Sequence, residues 1–153
     1  MLDKPVRIEF LKKLHLFRGL SDTELATVAD ELQELTFDNA GVVFAEGAVA
    51  DSLHIIYEGR VNLTRLVNTK QVKIGSLVKG DYYGEQGLLR SRSRNATVTA
   101  ESGTILLVLF RAQFVQLLTQ VPSLRRNFEV MMSSRKLAQE RHYTWLSENE
   151  IIY

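Results

Sequence analysis

LHIIYEGRVNLTRLV, Leu53 to Val67, holds two short runs of Ile, Val, Leu, Thr and Tyr on either side of Glu58-Gly59. Such runs, closed by turn residues, read as strands. The same texture extends both ways along the chain: LTF at Leu35, VVF at Val42, QVKIGSLV at Gln71, ATVTA at Ala96 and TILLVLF at Thr104. Asn39-Ala40-Gly41, Glu46-Gly47, Asn68-Thr69, Lys79-Gly80-Asp81 and Ser102-Gly103 punctuate them. About eight closely spaced strands over residues 35–110 predict a compact antiparallel sandwich or barrel.

Helical patterns flank this region. Phe10, Leu11, Leu14 and Phe17 recur near helical spacing. Ser21-Asp22-Thr23-Glu24 has the form of a capping box, opening a helix with an apolar face of Leu25, Val28, Ala29 and Leu32. Beyond Phe110, Phe114, Leu117 and Leu118 suit a helix that ends before Pro122. From Pro122 a long helix is expected through Phe128, Met131, Met132, Leu137 and Ala138 to about Trp145. The expected organisation is one domain: helices over 1–34, the β region over 35–110, helices over 111–146 and a linker over 147–153.

Composition narrows the functional classes. The 153 residues are 45% hydrophobic and 24% charged, as expected of a globular chain with a real core. Nineteen basic residues against eighteen acidic give a net charge of +1, so no global basic field favours nucleic acid. The absence of cysteine excludes disulfides and thiolate metal sites, and a cytoplasmic setting is the expectation. The N-terminal stretch has no uninterrupted apolar core, and no run approaches membrane-spanning length, so no membrane insertion is expected of these residues. His15, His54 and His142 lie far apart, without metal-ligand spacing, and read as structural or exposed. No nucleophile has a base beside it, so no catalytic step is expected.

Within the β region GEQGLLRSRSRNATV, Gly84 to Val98, breaks the strand pattern. GEQGLLR suits a turn or two of helix between strands, whose first N–H groups and positive dipole end favour an anion. Arg94 supplies a planar fork for phosphate oxygens, and the Glu85 carboxylate can accept from a sugar hydroxyl. The segment therefore points to binding of a sugar phosphate.

LFRGLSDTEL from Leu16, FAEGAVADSLHIIYEGRV from Phe44 and GDYYGEQGLLRSRSRNATV from Gly80 together resemble the cyclic nucleotide-binding domain. That domain is shared by protein kinase A regulatory subunits, cyclic-nucleotide-gated channels and bacterial catabolite activator proteins. The resemblance implies an eight-stranded antiparallel jelly-roll barrel with N-terminal helices, a short cassette helix and a long C-terminal helix. It implies that residues 84–98, beginning at Gly84, form a phosphate-binding cassette. Glu85 would accept the ribose 2′-hydroxyl, Arg94 would pair with the cyclic phosphate, and N–H groups around Gln86 and Gly87 would complete the site. Gly87 is expected to leave room for that phosphate. Leu63 and Ile74 would lie against the base.

Two positions depart from the family pattern. Ser93 replaces a common proline, which leaves the loop less rigid. Asn95 stands where Ala, Ser or Thr is usual and where Thr favours cGMP; an amide donates or accepts, which leaves the base choice open, and cAMP is the expected ligand with cGMP as the alternative. Arg90 and Arg92 read as a charged surface that raises local potential. Met131, Met132 and Phe128 suit core or helix packing, with a lid or homodimer seam as the alternative, and Tyr143 or Trp145 could cap the base.

The implied function is a non-catalytic regulatory module whose C-terminal helices move on cyclic-nucleotide binding to control an attached output region. The competing readings are a degenerate interaction or dimerisation module, and the sensor half of a transcription regulator whose DNA-reading part lies elsewhere. A metal-dependent cupin would require a close His pair with a carboxylate, which the chain lacks. LSENEIIY at the end reads as the start of a linker, with a membrane-linked output region one expectation.

Overall fold

The computed structural model describes residues 1–89, 92–130 and 133. Helix α1 (Lys4–Lys12) and a 3-10 turn at His15–Phe17 lead to α2 (Asp22–Glu31). The predicted capping box forms: the Ser21 hydroxyl accepts the Glu24 N–H at 3.1 Å, and the Glu24 carboxylate accepts the Ser21 N–H at 2.9 Å. At the other end of α2, buried Arg7 donates to the carbonyls of Ala29 (3.2 Å) and Leu32 (2.8 Å). A cation there satisfies terminal carbonyls and opposes the negative dipole end.

The β region comprises β1 (Gln33–Phe37), β2 (Gly41–Phe44), β3 (Val49–Ala50), β4 (Ser52–Glu58), β5 (Arg60–Val67), β6 (Lys70–Val78), β7 (Tyr82–Tyr83), β8 (Arg92–Ser93), β9 (Thr97–Ala100) and β10 (Thr104–Phe110). The longer strands coincide with the predicted runs. The two-residue strands β3, β7 and β8 carry no alternation long enough to read. The strands form two four-stranded antiparallel sheets, β1-β10-β4-β7 and β2-β9-β5-β6, with β3 and β8 paired separately. This is a mainly β jelly-roll fold with flanking helices. The interruption between β7 and β8 is helical as expected, giving α3 (Gln86–Leu89), and α4 (Arg111–Gln120) follows β10 directly.

Residues 123–130 are helical, in agreement with a new helix near Pro122. The expectations for Arg90, Met131, Met132, Leu137, Ala138, His142, Tyr143 and Trp145 lie outside the described residues. Among the described residues no helix is long and apolar enough to cross a membrane.

Alternation along β4 and β10 builds two cores from one sheet. Leu53, Ile55, Leu107 and Leu109 face α1, α2 and α4, where they join Leu11, Phe17, Leu25, Val28, Phe114 and Phe128. Ile56, Leu106 and Val108 face the second sheet and join Val61, Leu63, Tyr83 and Val98. The first layer packs the helices; the second fills the sandwich and surrounds the candidate site residues.

Candidate functional site

Arg94 lies between β8 and β9 with only 3% of its surface exposed. Its Nη2 donates to the Ser52 hydroxyl at 2.9 Å and the Ser52 carbonyl at 3.2 Å. Its guanidinium carbon stands 4.1 Å from the centre of the Phe44 ring, a cation–π contact. Nε and Nη1 are buried without a hydrogen-bond partner among the described residues. Burial weakens this guanidinium's hold on its proton, with the nearby Tyr83 and Asp51 acting in the opposite direction.

Gly84 has φ +92°, a left-handed conformation natural to glycine. A Cβ there would meet the Ser52 carbonyl and stand 2.8 Å from Arg94 Nη1, so the bare backbone leaves the arginine its place. The first cassette glycine and Arg94 are thus brought together by the fold. Glu85 and Gln86 are buried at the start of α3.

Gly87 has a packing reason to be small. A Cβ on it would lie 2.8 Å from the Ala50 carbonyl oxygen and 2.9 Å from its carbon, so glycine lets α3 lie against β3. Its N–H is also engaged, donating to the Gly84 carbonyl at 3.1 Å. That bond closes the first turn of α3.

Leu63 is fully buried in the inter-sheet core, and Ile74 packs half-buried against the same cluster. Leu63 pairs with Gly75 and Thr64 with Lys73, which leaves Ile74 as the extra residue of a bulge. Bulges re-aim a side chain at the cost of a ladder bond. Asn95 is anchored through its carbonyl, which accepts Arg65 Nε at 2.8 Å. Arg92 pairs its backbone with Ala50 in the β3–β8 ladder. The Gly80-Asp81 pair is a fold element: Gly80 N–H donates to the Ile56 carbonyl and Asp81 Oδ2 accepts the Val78 N–H, closing the β6–β7 turn.

Five contributors have roles that the sequence did not reveal, although all but Arg111 lie within the quoted stretches. Ser52 and Phe44 position Arg94, and Arg111 at the start of α4 donates Nε to the Gly87 carbonyl (2.8 Å) and Nη2 to the Ala50 carbonyl (2.9 Å). One side chain therefore ties the cassette helix to α4 and β3. His54, read from sequence as structural or exposed, is buried and stacks on its cross-strand partner Tyr83 at 4.9 Å and 6°. Desolvation, aided by Arg94, pushes the imidazole down to about 3, so it is neutral; burial pushes the Tyr83 phenol up. Only the arrival of the pair beside Arg94, through β4–β7 pairing, reveals either. Among the described residues no group of His, Cys, Asp and Glu is arranged to hold a metal ion.

A jelly-roll sandwich with a glycine-flanked helix inserted before a buried arginine defines a class of small regulatory domains. The model of the cyclic nucleotide-binding domain matches residues 34–121, and the chain belongs to that family. A cGMP-dependent protein kinase of Drosophila melanogaster is 31% identical over 138 residues, which cover 86% of this chain and 15% of that protein. The Caenorhabditis elegans cGMP-dependent protein kinase egl-4 is 28% identical over 124 residues, covering 79% and 16%. The chain thus spans less than a fifth of these relatives' length. Among solved structures, the catabolite activator protein of Thermus thermophilus has a TM-score of 0.72 at 26% identity, covering 79% of this chain and 57% of that one. The regulatory domain of Toxoplasma gondii protein kinase A, solved with cAMP, also has a TM-score of 0.72, at 25% identity with 86% and 50% covered.

Proposed function

We propose that this domain binds a cyclic nucleotide, cAMP in preference to cGMP, and passes occupancy to its C-terminal helices. The observation that carries the reading is Arg94: a buried guanidinium, fixed through one nitrogen, with two others unpartnered. A buried cation with unused donors is unfavourable until an anion completes it. The cyclic phosphate supplies that anion, Glu85 receives the ribose hydroxyl, and half-buried Ile74 offers apolar surface to the base, backed by the fully buried Leu63. Position 95 is Asn, not the Thr associated with cGMP, while the matched kinases are cGMP-dependent by name. The two nucleotides therefore belong in one experiment.

Arg111 supports the signalling half of the proposal. Because it bonds both Gly87 and Ala50 from the first turn of α4, movement of α3 toward a phosphate would strain or break those bonds. A ligand shifts an equilibrium only by its preference between two arrangements, and this contact differs between them. The module itself performs no chemistry; its output is whatever region it regulates.

Calorimetry with cAMP and cGMP tests the binding. Charge-assisted hydrogen bonds contribute about 1.5–3 kcal/mol each, so Arg94→Ala should weaken binding about tenfold to a hundredfold. Affinity unchanged in that variant would sink the assignment. Hydrogen exchange tests the signal: nucleotide should alter protection from Arg111 onward, and an effect confined to the β region would refute the coupling.

A further inference from the structure

Arg94 also lines a second space. A cavity of about 300 Å³ opens between β1 and β2, walled by Val43, Phe44, Val49, Phe110, His54 and Arg94. Strands β1 and β2 are the edge strands of their sheets, whereas Ile74 on β6 and the cassette after β7 belong to the opposite edge. No residue of β5, β6 or α3 lines this cavity. It is therefore distinct from the proposed base surface at Ile74, behind which Leu63 is buried, and the two share one guanidinium.

The cavity is built like a ligand site. Its volume is the share of about ten liquid waters, near the lower limit for small-molecule pockets. Val43 is the extra residue of a bulge in β2, between the Val42–Thr99 and Phe44–Val98 pairs. Two lining side chains more than nine-tenths buried carry unpartnered nitrogens: Nε and Nη1 of Arg94, and Nδ1 of His54. The other walls are mainly apolar. Two carboxylates reach the lining, but Glu34 is engaged by Arg7 and by the Leu2 N–H, and Asp51 is solvent-exposed.

We infer that this cavity binds a small aromatic acid, its carboxylate on Arg94 and His54 and its ring against Phe44, Val43 and Phe110. The chemistry selects that class. A cationic ligand would face Arg94, and a purely apolar one would leave the buried nitrogens without acceptors. Because a nucleotide phosphate on the cassette side needs the same guanidinium, the acid antagonises the nucleotide, and the nucleotide antagonises the acid equally. This antagonism rests on the proposed nucleotide site; binding of the acid does not.

Methyl NMR on the ligand-free chain separates the two. Benzoate is expected to give saturable, millimolar-range shifts at the Val43, Val49 and Val108 methyls, at least tenfold tighter than benzyl alcohol. Val43→Phe should abolish them while leaving cAMP affinity within about twofold. Equal response to benzyl alcohol, absence of saturation, survival in Val43→Phe, or shifts centred on Leu63 and Ile74 would each overturn the inference. A cAMP titration followed at Leu63 and Ile74 is scored separately, so failure of the nucleotide site leaves the cavity result intact. If both ligands bind, saturating benzoate should raise the apparent Kd for cAMP at least threefold; an unchanged Kd overturns the shared arginine.

Discussion

The two faces of the β1-β10-β4-β7 sheet are built by alternate residues of the same strands, yet they bury different chemistry. The face toward the helices packs Leu53, Ile55, Leu107 and Leu109 against apolar helix residues, with Arg7 satisfying carbonyls at its margin. The face toward the second sheet adds Arg94, His54 and Tyr83 to its apolar residues, and four of their polar atoms lack a partner among the described residues, against the single Nε of Arg7 at the margin of the first. Both layers contribute apolar burial to stability, and the unpartnered polar atoms of the second set some of that gain back. A one-residue slip of β4 would exchange Leu53 and Ile55 for His54, so register joins the two roles.

The division breaks most sharply at Leu107. Leu107→Ala removes a fully buried side chain from the helix-facing core and should cost about 2–5 kcal/mol in urea unfolding. The inter-sheet counterpart is Arg94→Met. Replacing an incompletely paired buried charge by an apolar side chain is often neutral or stabilising, so the ligand-free Tm should not fall, while nucleotide affinity drops about tenfold to a hundredfold, as estimated for loss of a charge-assisted contact. A Tm loss as large as that of Leu107→Ala would show Arg94 to be a structural residue and erase the contrast.

His54 sharpens the same contrast through pH. Its folded value near 3 lies below the unfolded value of 6.5, so between them the unfolded chain holds the extra proton. Stability is then complete above 6.5 and is lost as pH falls toward 3, at about 1.4 kcal/mol per pH unit where the difference is one full proton. The groups facing the imidazole do not reverse this: Arg94 opposes its charging, and Tyr83 stays neutral. His54→Phe keeps an aromatic ring against Tyr83 and should flatten the slope between pH 6 and 4 by about that amount. Identical pH profiles for the two proteins would place the imidazole in contact with water.

Sequence legibility follows the same boundary. The apolar faces of α2 and α4, the Ser21 cap and the longer strands could be read because each repeats a period or carries a local signal. The cassette could be read as a linear motif holding Gly84, Glu85, Gly87 and Arg94. Ser52, Phe44, His54, Tyr83 and Arg111 could not, because they meet only through strand pairing and through the return of the chain after β10. Gly87 illustrates the limit most clearly. Its smallness was legible, but its immediate reason is the Ala50 carbonyl, thirty-seven positions earlier in the chain.

The smallest expected effect tests whether the helical layer is independent of the site. Ser21→Ala removes the hydroxyl that accepts the Glu24 N–H, while the Glu24 carboxylate keeps the Ser21 N–H. The loss should be about 1 kcal/mol, within the 0.5–2 kcal/mol range of N-cap replacements. Helix α2 carries Leu25, Val28 and Ala29 into the helix-facing core but contributes no residue to Arg94 or its neighbours. The destabilisation should therefore be the same with and without saturating cAMP, after the constant stabilisation by bound ligand is subtracted. A change in cAMP affinity beyond about twofold would mean that the helical layer and the inter-sheet site are energetically one unit, with α2 already part of the path from ligand to output.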